Sequence, residues 1–497
     1  MIRRLGFVLL AGLTGCMVGP DYVRPSAPTP VAFKEVAGWK PAQPQDDIDR
    51  GAWWSVYNDP ILDGLERQVE ISNQSLKASY FAYEQASAIV QEAVANLFPT
   101  AGITGTGTRS KGGGISTSSG TTISGGSRTS SALGSSKRTT YSLEGNASWA
   151  PDVWGSVRRT IESDVSGAQA SAATLANALL SLQATLATDY MDLRAAEELQ
   201  ILLSDTVAQY QRSLQITQNQ YEAGTAAKSD VITAQAQVLS TQASLVNVGV
   251  QRAQFEHAIA VLIGKPPAEF SIAPGRLAVA VPVAPVDVPS RLLERRPDIA
   301  AAERTMQQQN ALIGVAVAAY FPDISLSALG GYSGNPIFAA YNTLWSLAAS
   351  ATQTVFDGGL RGAQVEAARA VYQESVANYR QTVLTAFQGV EDQLAALRIL
   401  EQQAAVEDEA VKAAKQAVQI TINEYRAGTV AYTSVVTAQA LLLSDQQSAL
   451  SVQQSRLVAS VALLQDLGGG WDSSQLPPRD DLQKMGPLIP DRGGNPT

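Results

Sequence analysis

Few residues in this chain could carry chemistry. Among 497 residues there is one histidine, His257, and one cysteine, Cys16. A Cys/His zinc site takes about four such ligands, so none can be assembled. A Ser-His-Asp triad would have to use His257, and a disulfide framework within the chain is excluded. His257 stands one residue before the apolar Ala258 in a helical stretch and reads as a packed or hydrated side chain, not a ligand. Lysine and arginine number 36 against 45 acidic residues, a formal charge of −9, and nucleic-acid binders usually need a basic stripe. With no nucleophile–base constellation in the sequence, the expectation is a protein that is not an enzyme, has no cofactor and binds no nucleic acid.

Cys16 is the exception. The chain opens MIRRLGFVLLAGLTGC, with Arg3 and Arg4 ahead of an apolar run, Leu5 to Leu13, too short to span a bilayer. Leu13-Thr14-Gly15-Cys16 resembles the bacterial lipobox, which predicts a signal peptide over 1–15 and an acylated Cys16 as the new N-terminus. Each buried acyl CH₂ contributes about 0.8 kcal/mol, so several chains anchor stably. Loss of Arg3 and Arg4 makes the side-chain charge −11. Met17 occupies the position where Asp typically retains a lipoprotein in the inner membrane, which points to outer-membrane lipid. No later run of about 18 uninterrupted apolar residues predicts a transmembrane helix.

The elements that hold the remaining candidates are written twice. Residues 221–264 align with 425–468 at a constant offset of 204, with 18 of 44 positions identical. Tyr221/Tyr425, Gly224/Gly428, Thr225/Thr429, Gln235/Gln439 and Arg252/Arg456 are among them. Leu97-Phe98-Pro99 matches Tyr320-Phe321-Pro322 at offset 223, so the first copy holds extra residues. They fall in 109–138, a Gly/Ser/Thr stretch without hydrophobic periodicity that reads as a long, solvated, flexible loop. It contains Arg109, Lys111, Arg128, Lys137 and Arg138 and no acid.

Around this loop the period is two. Tyr141, Leu143, Gly145, Ala147 and Trp149 alternate with Ser142, Glu144, Asn146 and Ser148. Trp345, Leu347, Ala349 and Ala351 alternate with small residues in the second copy, and weaker strands begin at Ala101 and Ile324. One apolar and one small-polar face is the pattern of a membrane barrel with a wet lumen. Four strands cannot close a barrel, and open edges are not tolerated in lipid, so the monomer must oligomerise.

The flanks are helical. Ser156–Glu222 and Gly358–Arg426 lack proline and predict helices of about 100 Å, and 228–262 predicts a return of about 50 Å. Segments 62–97, 290–319 and 431–466 supply the other short helices, with 62–97 and 431–466 stacked to match 358–426. Charged residues are only 16% and aromatics 6%, replaced by Ala, Ser, Thr and Gln that suit close helix packing. The boundaries are therefore a signal peptide 1–15, a lipidated linker 16–60, a first repeat 61–264, a linker 265–289, a second repeat 290–471 and an irregular tail 472–497. The overall class is mainly α with a membrane β-barrel part.

The whole mature chain resembles the TolC-like outer-membrane efflux proteins, in particular the NodT-like lipoprotein branch associated with RND pumps. The resemblance rests on Cys16 followed by Val18-Gly19-Pro20-Asp21-Tyr22 and Pro25, and on Trp53-Trp54 with Asp59-Pro60. It extends to Leu292-Leu293-Glu294-Arg295-Arg296-Pro297-Asp298-Ile299 with Glu303, the two Tyr-x-Ala-Gly-Thr turns, and Leu467-Gly468-Gly469-Gly470-Trp471. It implies a homotrimer with one twelve-stranded barrel and a helical periplasmic tube. It also implies a periplasmic adaptor protein and an inner-membrane RND-type pump, with this chain as a passive duct. Tyr221, Gly224, Thr225, Tyr425, Gly428 and Thr429 would form the periplasmic tip that meets the adaptor.

Asp230 is the candidate gate acid, since three copies would form a carboxylate ring, while the second copy has Ser434 there and Thr437 one turn on. Arg295-Arg296-Pro297-Asp298 reads as a helix start. An outlet for type I protein secretion and a non-pore coiled-coil lipoprotein are the alternatives.

Overall fold

The computed structural model describes residues 17–27, 30, 33–36, 52–113, 135–277, 280–282, 295–339 and 342–484. Cys16, the leader and most of the 109–138 segment lie outside them. In chain order the main elements are α1 (Pro60–Ser72), α2 (Gln74–Ala95), β1 (Thr100–Gly113), β2 (Ser135–Trp149), α3 (Ser156–Glu222), α4 (Lys228–Leu262) and α5 (Pro297–Ala318). They continue with β3 (Asp323–Gly334), β4 (Thr343–Thr352), α6 (Leu360–Arg426), α7 (Tyr432–Asp466) and a short α8 (Arg479–Leu482).

The duplication is carried into three dimensions. The two long helices, α3 and α6, each have 67 residues, and the helices that return from them, α4 and α7, each have 35. Likewise α2 and α5 each have 22. The strands differ in length between the copies, because the strand tips carry the unequal insertions.

The strands form one antiparallel sheet in the order β1-β2-β3-β4, so β1 and β4 are edges with no partner among the described residues. The pairing extends further than hydrophobic alternation suggests. Arg109 pairs with Thr139, Ser110 with Arg138 and Lys111 with Lys137. These residues belong to strands, not to a loop spanning 109–138. Backbone hydrogen bonds extend the ladder without regard to side chain, and a strand solvated on both faces needs no apolar period.

One 18-residue window of α3 is apolar enough by mean composition to cross a membrane, although polar residues interrupt it. That helix packs on α2, α4 and α5, so its Ala and Leu content belongs to the protein core. The 62–97 segment breaks at Asn73, whose side chain caps α2 by accepting from the Leu76 N–H and donates to the Leu262 carbonyl at 2.7 Å. Both α1 and α2 lie against α3, into which the hairpin after α2 leads directly. The second half differs in that α5 touches both long helices.

Several motifs turn out to be ties around the central belt of the helices. Asp59 caps α1 through the Ile61 and Leu62 N–H groups, and its other oxygen accepts from the Tyr190 hydroxyl at 2.6 Å. Trp53 and Trp54 are buried beside it. Arg296 reaches both the Asp466 carboxylate and its carbonyl at the end of α7, and pairs with Asp298 at 2.8 Å. This is a structural role, as the helix-start reading has it. Arg194, Glu197 and Arg252 form a buried charge network that holds the 271–275 backbone.

The N-terminal segment threads between α3 and α5. Arg159, 1% exposed, donates to the Val18 and Gly19 carbonyls and pairs with Asp21 and Glu162. Gly19 has φ +96, and a Cβ there would fall 2.4 Å from the Gly314 Cα. Glycine is required for both reasons. The tail after Trp471 forms short turns at Ser473–Gln475 and Arg479–Leu482 and is docked over its described part. Leu482 is buried with Val90, Val94, Ile161 and Val165, and Gln169 donates to the Pro477 carbonyl at 2.9 Å.

One buried group lacks compensation. Glu66 in α1 is fully buried, and neither carboxyl oxygen has a partner among the described residues. Burial pushes its pKa up to about 9. The folded-state value lies above the unfolded one, so folding takes up a proton between them. Stability is greatest below about pH 4.5 for this group and falls as pH rises toward 9. Glu66→Gln should raise the thermal midpoint at pH 8, by a gain on the order of a few kcal/mol, with little effect at pH 4.5. Parallel melts of both proteins followed by circular dichroism check this, and equal gains at the two pH values contradict it.

Candidate functional site: the hairpin tips and the strand channel

Where each long helix ends, the chain must reverse and the last carbonyls need donors. Gly224 and Gly428 adopt left-handed backbone, φ +76 and +77. A Cβ at either would meet nothing within 4 Å, so the conformation requires glycine and the available space does not. The next residue completes the cap. The Thr225 N–H and hydroxyl both donate to the Gln220 carbonyl, at 2.8 and 3.0 Å. Thr429 does the same to the Glu424 carbonyl, at 3.0 and 2.9 Å. The repeated Ala-Gly-Thr is a double-donor helix cap.

Asp230 lies in the first turn of α4, partly exposed, where Ala227 offers no side-chain cap. A carboxylate there is favoured by the helix dipole. Its charge also reaches the Tyr425 and Tyr432 phenols. The Tyr432 hydroxyl is pushed up to about 12, mainly by burial, with Asp230 a lesser contributor.

The two tips differ in what covers them. Tyr425 and Tyr432 are buried with ring centroids 5.2 Å apart, packed with Ala234 and Val435. Tyr221, the counterpart of Tyr425, is 45% exposed. Gln439 is buried, its side-chain amide donates to the Ser213 hydroxyl at 2.9 Å, and its backbone carbonyl accepts from the Tyr210 hydroxyl. Its counterpart Gln235 is exposed. The cause is that α7 lies against α3, whereas no second long helix covers the matching face of α4 among the described residues. The repeat identified the paired turns but not Tyr432. Position 432 corresponds to Lys228, so comparing the copies gives no signal there. His257 is exposed and forms no part of the site.

At the other end, the register sorts side chains by face. Ala101, Ala147, Ala328 and Leu347 share one row, and Ile103, Gly145, Gly330 and Trp345 the next. Trp149 and Tyr141 lie on this apolar face. The opposite face carries hydroxyl pairs: Thr100 with Ser148 at 2.9 Å, Thr106 with Ser142 at 2.6 Å and Ser325 with Ser350 at 2.7 Å. Glu144 and Asn146 also point that way, with Leu329 and Leu344 as apolar exceptions. An apolar face for lipid and a hydroxyl-lined face for water are what a transmembrane barrel wall needs.

Comparison with known proteins agrees with this geometry. Residues 65–265 and 288–469 match the outer membrane efflux protein family, in two blocks that follow the repeat. The chain belongs to that family. It is 30% identical over 468 residues to the toluene efflux pump outer membrane protein TtgC of Pseudomonas putida, covering 92% of this chain and 93% of the relative. It is 28% identical to nodulation protein T of Rhizobium leguminosarum, covering 90% and 91%. Among solved structures it resembles the outer-membrane channel OprN, with TM-score 0.82, 27% identity and coverage of 92% and 100%. It also resembles the open state of the Neisseria gonorrhoeae MtrE outer membrane channel, with TM-score 0.79, 27% identity and coverage of 92% and 99%.

This member of the outer membrane efflux family is thus the outer-membrane channel component of an efflux system, extending into the periplasm. The family is one of transport channels, in keeping with the scarcity of catalytic groups in the sequence.

The asymmetry of the tips gives a direct test. Tyr425→Ala removes a buried ring and should cost the second hairpin on the order of 3 kcal/mol. In the dissociated single chain, amide hydrogen exchange should speed up over 420–437, while Tyr221→Ala, whose ring is covered only by a neighbouring copy, leaves its own hairpin as protected as before. Equal loss of protection in both variants would show that the tyrosines are equivalent.

Proposed function

We propose that three copies of this chain close one twelve-stranded barrel and one helical tube, forming a passive duct for substrates handed over by an inner-membrane RND-type pump through a periplasmic adaptor. The observation that carries this reading is the four-stranded sheet with two unpaired edges, one apolar face and one hydroxylated face. A second observation supports ring closure. Tyr425 and Gln439 are covered by α3, and Tyr221 and Gln235 are the same residues uncovered. By the repeat, α6 of a neighbouring copy would cover α4 as α3 covers α7.

The tips formed by Tyr221, Gly224, Thr225, Tyr425, Gly428 and Thr429 are the adaptor contact in this scheme, and Asp230 is the acid that rings the mouth. Asp230 belongs to the covered side of the tip through its influence on Tyr425 and Tyr432, and a ring there would act together with tip packing. Lipidation at Cys16 fits the same arrangement. Met17 packs beside Gly155, and the Val18 N–H donates to the Trp154 carbonyl, where β2 gives way to α3. Trp154 stacks on Phe321 at 4.8 Å at this junction, so an acyl chain on the preceding residue would start at the level of the membrane interface.

The ring can be tested by cross-linking. Gln439 meets Ser213 within the chain, and the counterparts of these positions are Gln235 and Ala417. The double variant Q235C/A417C, treated with a short bismaleimide, should give a ladder ending at three chains on a denaturing gel. The same preparation should conduct in planar bilayers, and Asp230→Asn should alter its cation sensitivity. A ladder that stops at two chains, or fails to form between copies, contradicts the trimer.

A further inference from the structure

The strand register places a set of basic side chains at a defined height on the lipid-facing side of the sheet. On β1 the odd-numbered residues Ala101, Ile103, Gly105 and Gly107 share the apolar face with Tyr141, Leu143, Gly145, Ala147 and Trp149 of β2. Continuing the same face outward brings Arg109, then Lys111 directly opposite Lys137. From Trp149 to Tyr141 the strand advances eight residues. At about 3.4 Å each and a tilt near 40°, this is roughly 21 Å of membrane height, close to the ~25 Å apolar band of such barrels. Trp149 and Tyr141 therefore mark its two rims, and the three basic residues stand just beyond the outer rim, at headgroup level.

All three are exposed, and none forms an ion pair with a described residue. Glu144, the acid of β2, faces the opposite side. Like charges directly across a ladder, as Lys111 and Lys137 are, destabilise it unless an anion lies between them. We propose that Arg109, Lys111 and Lys137 form a binding site for the phosphate groups of the outer-leaflet glycolipid, lipid A, which seats the barrel at a fixed depth. This rests on the placement of the strands in the outer membrane and not on the pump, the adaptor or the number of copies.

Arg138 supplies an internal control. It pairs with Ser110, on the hydroxylated face, so its removal takes away a positive charge at nearly the same height but on the lumen side. The full mature protein, purified in detergent as its native oligomer, is titrated with bisphosphorylated lipid A, dephosphorylated lipid A and phosphatidylglycerol, and bound lipid is counted by native mass spectrometry. Each basic residue near an anionic surface contributes about fivefold, so R109Q/K111Q/K137Q should bind bisphosphorylated lipid A on the order of 100-fold more weakly. R138Q should bind it as the wild type does.

Unchanged binding by the triple variant overturns the proposal, as does equal binding of dephosphorylated lipid A by the wild type. Equal binding of phosphatidylglycerol overturns the assignment to the glycolipid. If the triple variant does not assemble, the wild type decides the matter. Its binding of lipid A must weaken between about 50 mM and about 500 mM salt, and binding indifferent to salt contradicts the site.

Discussion

A backbone N–H or C=O in hydrocarbon has no water to turn to, and β1 and β4 each present a row of such groups with no partner among the described residues. The rest of the structure depends on this constraint. It makes the single chain incomplete, sets the sheet as one segment of a closed wall, and requires two different faces on every strand. The hydroxyl pairs on one face and the Ala, Gly, Leu and Trp rows on the other are the local answer to water on one side and lipid on the other. Beyond the apolar band the same ladder continues with polar and basic residues, because hydrogen bonding sustains a strand where hydrophobicity no longer directs it.

The helical part extends the wall away from the membrane with a different economy of contacts. Helices of 67 and 35 residues occur in both copies, and close approach between them relies on small side chains. At the far ends a glycine turns the chain and a threonine caps it twice. Identical local chemistry still yields unequal surroundings, since α3 covers the second hairpin and no long helix among the described residues covers the first. An exposed Tyr221 beside a buried Tyr425 is the mark that a single chain of a ring leaves on its own sequence repeat.

The conserved-looking motifs outside the turns serve the joints of this wall. Val18-Gly19-Pro20-Asp21 is held by Arg159 between α3 and α5, and Asp59-Pro60 starts α1 while fixing Tyr190. Arg296 ties the start of α5 to the end of α7. None converges on a reacting centre. They secure the belt from which the strands and the tips project in opposite directions, which is the need of a conduit and not of a catalyst.

The sequence by itself determined what depends on local order: the duplication, the lengths of the long helices, the alternation of the strands, the glycine turns and the excess of small neutral residues. It also determined what was absent, because one histidine and one cysteine bound the chemistry whatever the fold. Tertiary structure alone decided which surfaces meet. The extent of β1 and β2 beyond Tyr141 was hidden because a ladder of backbone bonds leaves no apolar period. The docking of Leu482 was hidden because the few apolar residues of the tail, Leu476 and Leu482 among them, follow no regular period. Tyr432 escaped because the copies diverge there, its counterpart being Lys228. Periodicity records the face that a side chain occupies along its own element, whereas contact between distant elements depends on where the chain has carried them.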